Sequence, residues 1–292
     1  MRKLTLSLAL AVLALSLAPA AIWADERNAM DPTAAMAEQH KHDKPSATAA
    51  ATAAPAQEVT GEEVVYATVG GKPVRGYLAR PDSSKKPSKG PLPGLIVIHE
   101  WWGLNDNIRS MAKRLAGEGY TALAVDLYGG QHAETPDKAK ELMGAVNQNS
   151  AAALDNLKQA YDFLATKEKA PKIGVIGWCF GGGWSLQTAI LLPDTIKATV
   201  IYYGRPETDK AKLATLKMPI LGLYGAKDQA FPVATVRELE KNLKDLGKDA
   251  EFHIYDDADH AFANPSGGNY NAKAADDAWK RTTAFLKKNL KS

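Results

Sequence analysis

Cysteine occurs once among the 292 residues, at Cys179, so no intramolecular disulfide can form and packing must hold the fold together. A surplus of charge of one sign is also missing: 36 Lys and Arg stand against 33 Asp and Glu, a net of +3. An excess that small and diffuse gives no reason to expect nucleic acid or an anionic membrane as partner. Apolar runs long enough to cross a bilayer are lacking beyond the N-terminus, and no internal repeat is visible. What remains is ordinary globular usage, 45% hydrophobic and 24% charged, with chain enough for a sizeable core in one large domain or two small ones.

Arg2 and Lys3 precede an apolar run over residues 4–17, followed by small residues and a cleavage site at Ile22-Trp23-Ala24. That pattern predicts a signal peptide over 1–24, a mature chain beginning near Asp25, and export to the periplasm or medium with no membrane contact afterwards. An uncleaved anchor is the alternative. Residues 25–57 are rich in Ala, Thr and Pro, with almost no large apolar side chains to bury, and are read as a disordered linker. His40 and His42 fall within it. Two histidines on a flexible segment lack the ligand count of a structured site, so no metal is expected.

From residue 58 to 292 short β-rich runs alternate with amphipathic helices, the sign of βαβ units in a mostly parallel, doubly wound α/β sheet with helices on both faces. A hairpin is predicted over 64–69 and 74–78 around Gly70-Gly71, with later strands over 95–99, 121–126, 173–177, 198–203, 219–224 and 251–255. Helices are predicted over 107–118, 136–146, 151–166, 184–191, 233–246 and 271–288, and residues 85–89 read as an exposed loop.

Gly177-Trp178-Cys179-Phe180-Gly181-Gly182 sits directly after a strand and directly before a helix, where a nucleophile elbow belongs. The turn is so tight that residues two before and two after its apex must be small, as Gly177 and Gly181 are. Cys179 at the apex would stand at a helix N-terminus, which favours the thiolate. An elbow nucleophile is followed in chain order by an acid and a histidine at the ends of later strands. Asp228, in Gly225-Ala226-Lys227-Asp228, and His260, in Asp259-His260-Ala261-Phe262, meet both conditions. His99-Glu100-Trp101-Trp102 at the end of the first parallel strand supplies one oxyanion N–H from Trp101, beside that of Phe180. Glu100 puts a carboxylate at the mouth of the site, able to take a proton from Cys179 or hold the thiol.

With Val125-Asp126-Leu127-Tyr128 added to these motifs, the chain from about Glu62 onward resembles the dienelactone hydrolase (carboxymethylenebutenolidase-like) family, a cysteine-nucleophile branch of the α/β-hydrolases. The resemblance implies an α/β-hydrolase fold, with Cys179 as nucleophile, His260 as base, Asp228 as its orienter and Glu100 as partner of the resting thiol. Arginines that grip a substrate carboxylate in that family correspond by ungapped alignment to Gly130 and Asn264 here, which makes dienelactone a doubtful substrate. Trp102, Trp178, Tyr202 and Tyr203 are candidates for an apolar substrate pocket.

The function expected is hydrolysis of a small ester or lactone through a thioester, with no cofactor, metal, nucleic acid or protein partner. Alternatives are a broad-specificity carboxylesterase, or a binding or redox-sensing module that keeps the fold without turnover.

Overall fold

Gly70 and Gly71, at φ of 56° and 76°, turn the chain between β1 (Val59–Val69) and β2 (Lys72–Pro81), an antiparallel hairpin longer than the sequence predicted. The structure, a computed structural model, describes residues 32–43, 45, 54–84 and 90–292. The expected signal peptide over 1–24 and the expected loop over 85–89 lie outside the described residues.

The other strands are β3 (Gly94–Ile98), β4 (Thr121–Val125), β5 (Ile173–Trp178), β6 (Ile196–Tyr202), β7 (Ile220–Gly225) and β8 (Ala250–Tyr255). They form one sheet in the order β1-β2-β4-β3-β5-β6-β7-β8. β2 pairs antiparallel with β4, and every pairing from β4 through β8 is parallel. From β3 the chain steps outward to β4, then returns past β3 to build β5 to β8. The crevice that reversal leaves at the carboxyl ends of β3 and β5 is where ligands bind in such sheets. All residues of β3, β4, β5 and β7 are buried, which requires cover on both faces.

That cover comes from helices in the predicted places. α2 (Asp106–Gly117) meets α8 (Ala272–Leu290), where the Arg114 guanidinium lies 3.9 Å from the Trp279 ring centroid. α4 (Ser150–Thr166) and α5 (Phe180–Leu191) pack on each other and the sheet, with α3 (Pro136–Gln148) against α4 and α7 (Val233–Asp245) against β8. Asn105, Thr135 and Asn271 cap α2, α3 and α8 through their side chains, each worth about 1 kcal/mol. The short α6 (Lys210–Ala214) has too few residues for a readable period. Among the described residues no helix is long and apolar enough to cross a membrane.

One expectation is corrected. Within the segment read as a disordered linker, Pro32–Gln39 is helical (α1), and residues 35, 36 and 40 are buried against the α/β domain. Asn269 donates to the Gln39 carbonyl at 3.1 Å, the Gly268 N–H to Asp43 Oδ1 at 2.7 Å, and Asn105 to the Pro45 carbonyl at 2.7 Å. Farther on, Gln57 donates to the Gly117 carbonyl at 3.0 Å. Composition reports whether a segment can bury a core of its own. It is blind to a groove elsewhere that accepts an alanine, a methionine and a histidine.

Candidate active site

Cys179 follows β5 and caps α5 with φ 55° and ψ −117°, a conformation that costs a non-glycine residue about 1–3 kcal/mol. The elbow is held from both sides: the Cys179 N–H donates to the Tyr202 carbonyl at 3.0 Å, and its own carbonyl accepts from Gly182 at 3.0 Å. A β carbon on Gly177 would stand 2.1 Å from the Gly181 carbonyl oxygen, and one on Gly181 would stand 2.4 Å from the carbonyl oxygens of Ile98 and His99. The chain can close this turn only with glycine at both places.

Asp228 and His260 leave the ends of β7 and β8 and meet below the elbow. His260 Nδ1 donates to Asp228 Oδ2 at 2.7 Å, with both side chains wholly buried. Asp228 Oδ1 accepts from the Ala230 and Phe231 N–H groups at 2.8 and 2.9 Å, which fixes the carboxylate. The free nitrogen, His260 Nε2, is buried without a hydrogen-bond partner. A ring nitrogen of His260, one of His40 and Cys179 Sγ all lie within 4.8 Å of one another.

Burial alone would push the Cys179 thiol up, but the His260 and His40 imidazoles outweigh it and bring it down to about 6. Burial likewise disfavours charge on His260, yet the Asp228 carboxylate and the Cys179 sulfur hold it well above the usual histidine range. The pair therefore favours thiolate and imidazolium.

Glu100 is buried as well, and burial pushes it up to about 8, with the Cys179 charge adding to the effect. Its expected hold on the thiol is corrected. The carboxylate accepts instead from Asn264 Nδ2 at 2.7 Å and from the Tyr203 hydroxyl at 3.3 Å. Asn264 is itself fixed by the Ser266 N–H at 2.9 Å, so the residue standing at an expected arginine position points inward at a carboxylate. Gly130, at φ 86°, donates its N–H to Asp126 in a tight turn. The N–H groups of Trp101 and Phe180 have no acceptor among the described residues, and Phe180 begins α5, where the helix dipole adds positive potential.

A cavity of about 620 Å³ opens beside Cys179, walled by Met36, Met143, Phe180, Trp184, Arg205 and Phe231 among others. The four aromatic residues predicted for the pocket are corrected: none lines it. Trp178 and Tyr202 line a separate cavity of about 120 Å³ beside α8, the Tyr203 hydroxyl is spent on Glu100, and Trp102 is packed against Trp101. Proximity to strand ends in sequence did not say which side of the sheet each ring takes. Phe231, three residues past Asp228, carried a signal that chain order could have used.

His40, read from the sequence as part of a disordered linker, is corrected: it stands at the site. Its ring is wholly buried, 4.6 Å from the Trp101 ring centroid and 5.3 Å from that of His260. Among the described residues His40, Cys179 and His260 form the one group able to supply three metal ligands. Such a donor set suits a soft divalent ion, which would occupy the sulfur that nucleophilic chemistry needs.

The dienelactone hydrolase family matches residues 74–290, a span that contains Glu100, Cys179, Asp228 and His260 but neither His40 nor Asp43. Protein usf of Aquifex pyrophilus is 37% identical over 227 residues, covering 75% of this chain and 95% of that protein. A provisionally named carboxymethylenebutenolidase of Saccharolobus solfataricus is 31% identical over 264 residues, covering 78% of this chain and 98% of the other. The crystal structure of a provisionally assigned dienelactone hydrolase from Klebsiella pneumoniae superposes with a TM-score of 0.70 at 30% identity, covering 79% of this chain and 99% of its own.

Proposed function

Because the chain belongs to the dienelactone hydrolase family, a family of hydrolases on the α/β-hydrolase fold, we propose that it cleaves a small ester or lactone by acyl transfer through Cys179. The observation that carries this reading is the convergence of a buried Asp228–His260 pair on a cysteine held at the apex of a strained elbow.

The Cys179 thiolate attacks the substrate carbonyl, and the Trp101 and Phe180 N–H groups receive the charge that develops on its oxygen. Collapse forms the thioester and expels the alcohol oxygen, which takes a proton from an imidazole beside the sulfur. His260 then removes a proton from water, whose oxygen displaces the thiolate. Asp228 keeps His260 in the tautomer and orientation the cycle requires. A thiolate is itself a good leaving group, so attack on an amide tends to revert before the amine departs. Activated esters and strained lactones suit the site better, and a cavity of about 620 Å³ admits small ones. No step draws on a cofactor.

Rapid acid quench during turnover of a p-nitrophenyl ester, followed by peptide mass spectrometry, tests the intermediate. The Cys179 peptide should carry the acyl group. An acyl group on any other residue would replace Cys179 as nucleophile.

A further inference from the structure

Two buried carboxylate–imidazole pairs converge on one sulfur, and only one belongs to the elbow arrangement. The second is His40 with Asp43, where His40 Nδ1 lies 2.5 Å from Asp43 Oδ2 and the Asp43 side chain is 2% exposed. Asp43 uses its other oxygen to accept the Gly268 N–H at 2.7 Å, so the carboxylate is anchored to the domain as Asp228 is anchored by two backbone N–H groups. His40 Nε2 is left buried without a hydrogen-bond partner, as is His260 Nε2, and the two rings stand at 90° to each other. A histidine serving only as a plug has no need of a buried carboxylate behind it, since an apolar side chain would fill the same space without that desolvation cost.

We propose that His40, held by Asp43, is a second catalytic imidazole that partners the Cys179 sulfur and gives its proton to the oxygen that leaves. This rests on the acyl-transfer reading above. When the C–S bond forms and the tetrahedral adduct collapses, the C–O bond breaks with its electron pair on oxygen. That oxygen takes the proton of His40 Nε2, leaving His40 neutral. The resting His260 imidazolium then passes its proton to His40 across the short gap between the rings, and the neutral His260 takes a proton from water as the new C–O bond forms. The C–S pair returns to sulfur, which restores the thiolate and both protonated rings. The titratable groups facing His40 are Asp43, Cys179, His260 and Glu100. Burial works against a charged His40, but Asp43 and the Cys179 sulfur outweigh it and raise its affinity for a proton. The donor thus reaches the site from a segment outside the span shared with the family.

An acid for the leaving oxygen matters in proportion to how poor that leaving group is. For an alkyl ester and the p-nitrophenyl ester of one acid, His40→Gln should lower kcat/KM about 100-fold on the first and less than about fivefold on the second. Asp43→Asn should show the same pattern with a smaller loss on the alkyl ester, and added imidazole should restore alkyl-ester turnover to His40→Gly. Thermal unfolding of each variant, matching wild type, keeps the comparison free of folding defects. Equal losses on both esters, or none, would overturn the proposal. Cys179→Ala assayed beside them tests the underlying reading separately: if it retains turnover, acyl transfer through Cys179 fails whatever His40 does.

Discussion

Met36 Sδ lies 3.6 Å from Cys179 Sγ, so the thiol is closed off by a residue some 140 positions earlier in the chain. Cys179 is wholly buried although its thiolate is favoured. Reactivity and access therefore separate. Iodoacetamide should alkylate the folded wild type slowly, and Met36→Ala should speed the reaction by about tenfold or more. The rate should rise with pH through a midpoint near 6, where the thiolate forms, rather than near that of a free thiol. An unchanged rate in Met36→Ala would mean that α1 does not guard the sulfur.

Glu100 should make stability fall as pH rises. Its folded value of about 8 lies above the ordinary 4.5, so the native state binds the proton more tightly than the unfolded chain does. The stabilisation is whole below the unfolded value and is lost as pH climbs through about 8. Glu100→Gln keeps the contact with Asn264 without a charge, so its Tm relative to wild type should improve steadily between pH 5 and 9. A difference that does not vary with pH would remove Glu100 as the cause.

A substrate carboxylate should bring little advantage. Asn264 is committed to Glu100 and Gly130 to a turn, while the cations on the cavity wall, Arg205 and Lys212, are exposed to solvent that weakens any pairing. Matched neutral and acidic esters should differ less than about tenfold in kcat/KM. A preference for the acid of about a hundredfold, abolished by Arg205→Ala, would show that Arg205 has taken the arginine role.

The sheet, its helices and the elbow were legible because each rests on local chemistry. β-branched runs mark the strands, and Gly177 and Gly181 mark a turn that no side chain can enter. Asp228 and His260 were legible through chain order and strand ends. Glu100 was legible as a buried carboxylate at the site but not in its partners, because Asn264 and Tyr203 come from loops 164 and 103 residues away. The cavity walls and His40 were not legible. Docking of α1 depends on the shape of a surface assembled from distant segments, and a composition scan of residues 25–57 reports only their polarity.

Export is proposed from the N-terminal pattern. Protein recovered from its native host should begin near Asp25, as mass analysis of the intact chain would reveal, and would keep α1 and His40 in the mature protein. Intact Met1 in the soluble fraction would contradict this.

Cys179, His260 and Asp228 are proposed to act as one unit. Steady-state esterase kinetics of Cys179→Ala, His260→Ala, Asp228→Asn and the Cys179→Ala/His260→Ala double variant, in preparations free of host esterases, test it most directly. Either alanine variant alone should lower kcat by about 10⁴-fold or more, Asp228→Asn somewhat less, and the double variant should be barely worse than the singles. Near wild-type turnover by Cys179→Ala would contradict the account.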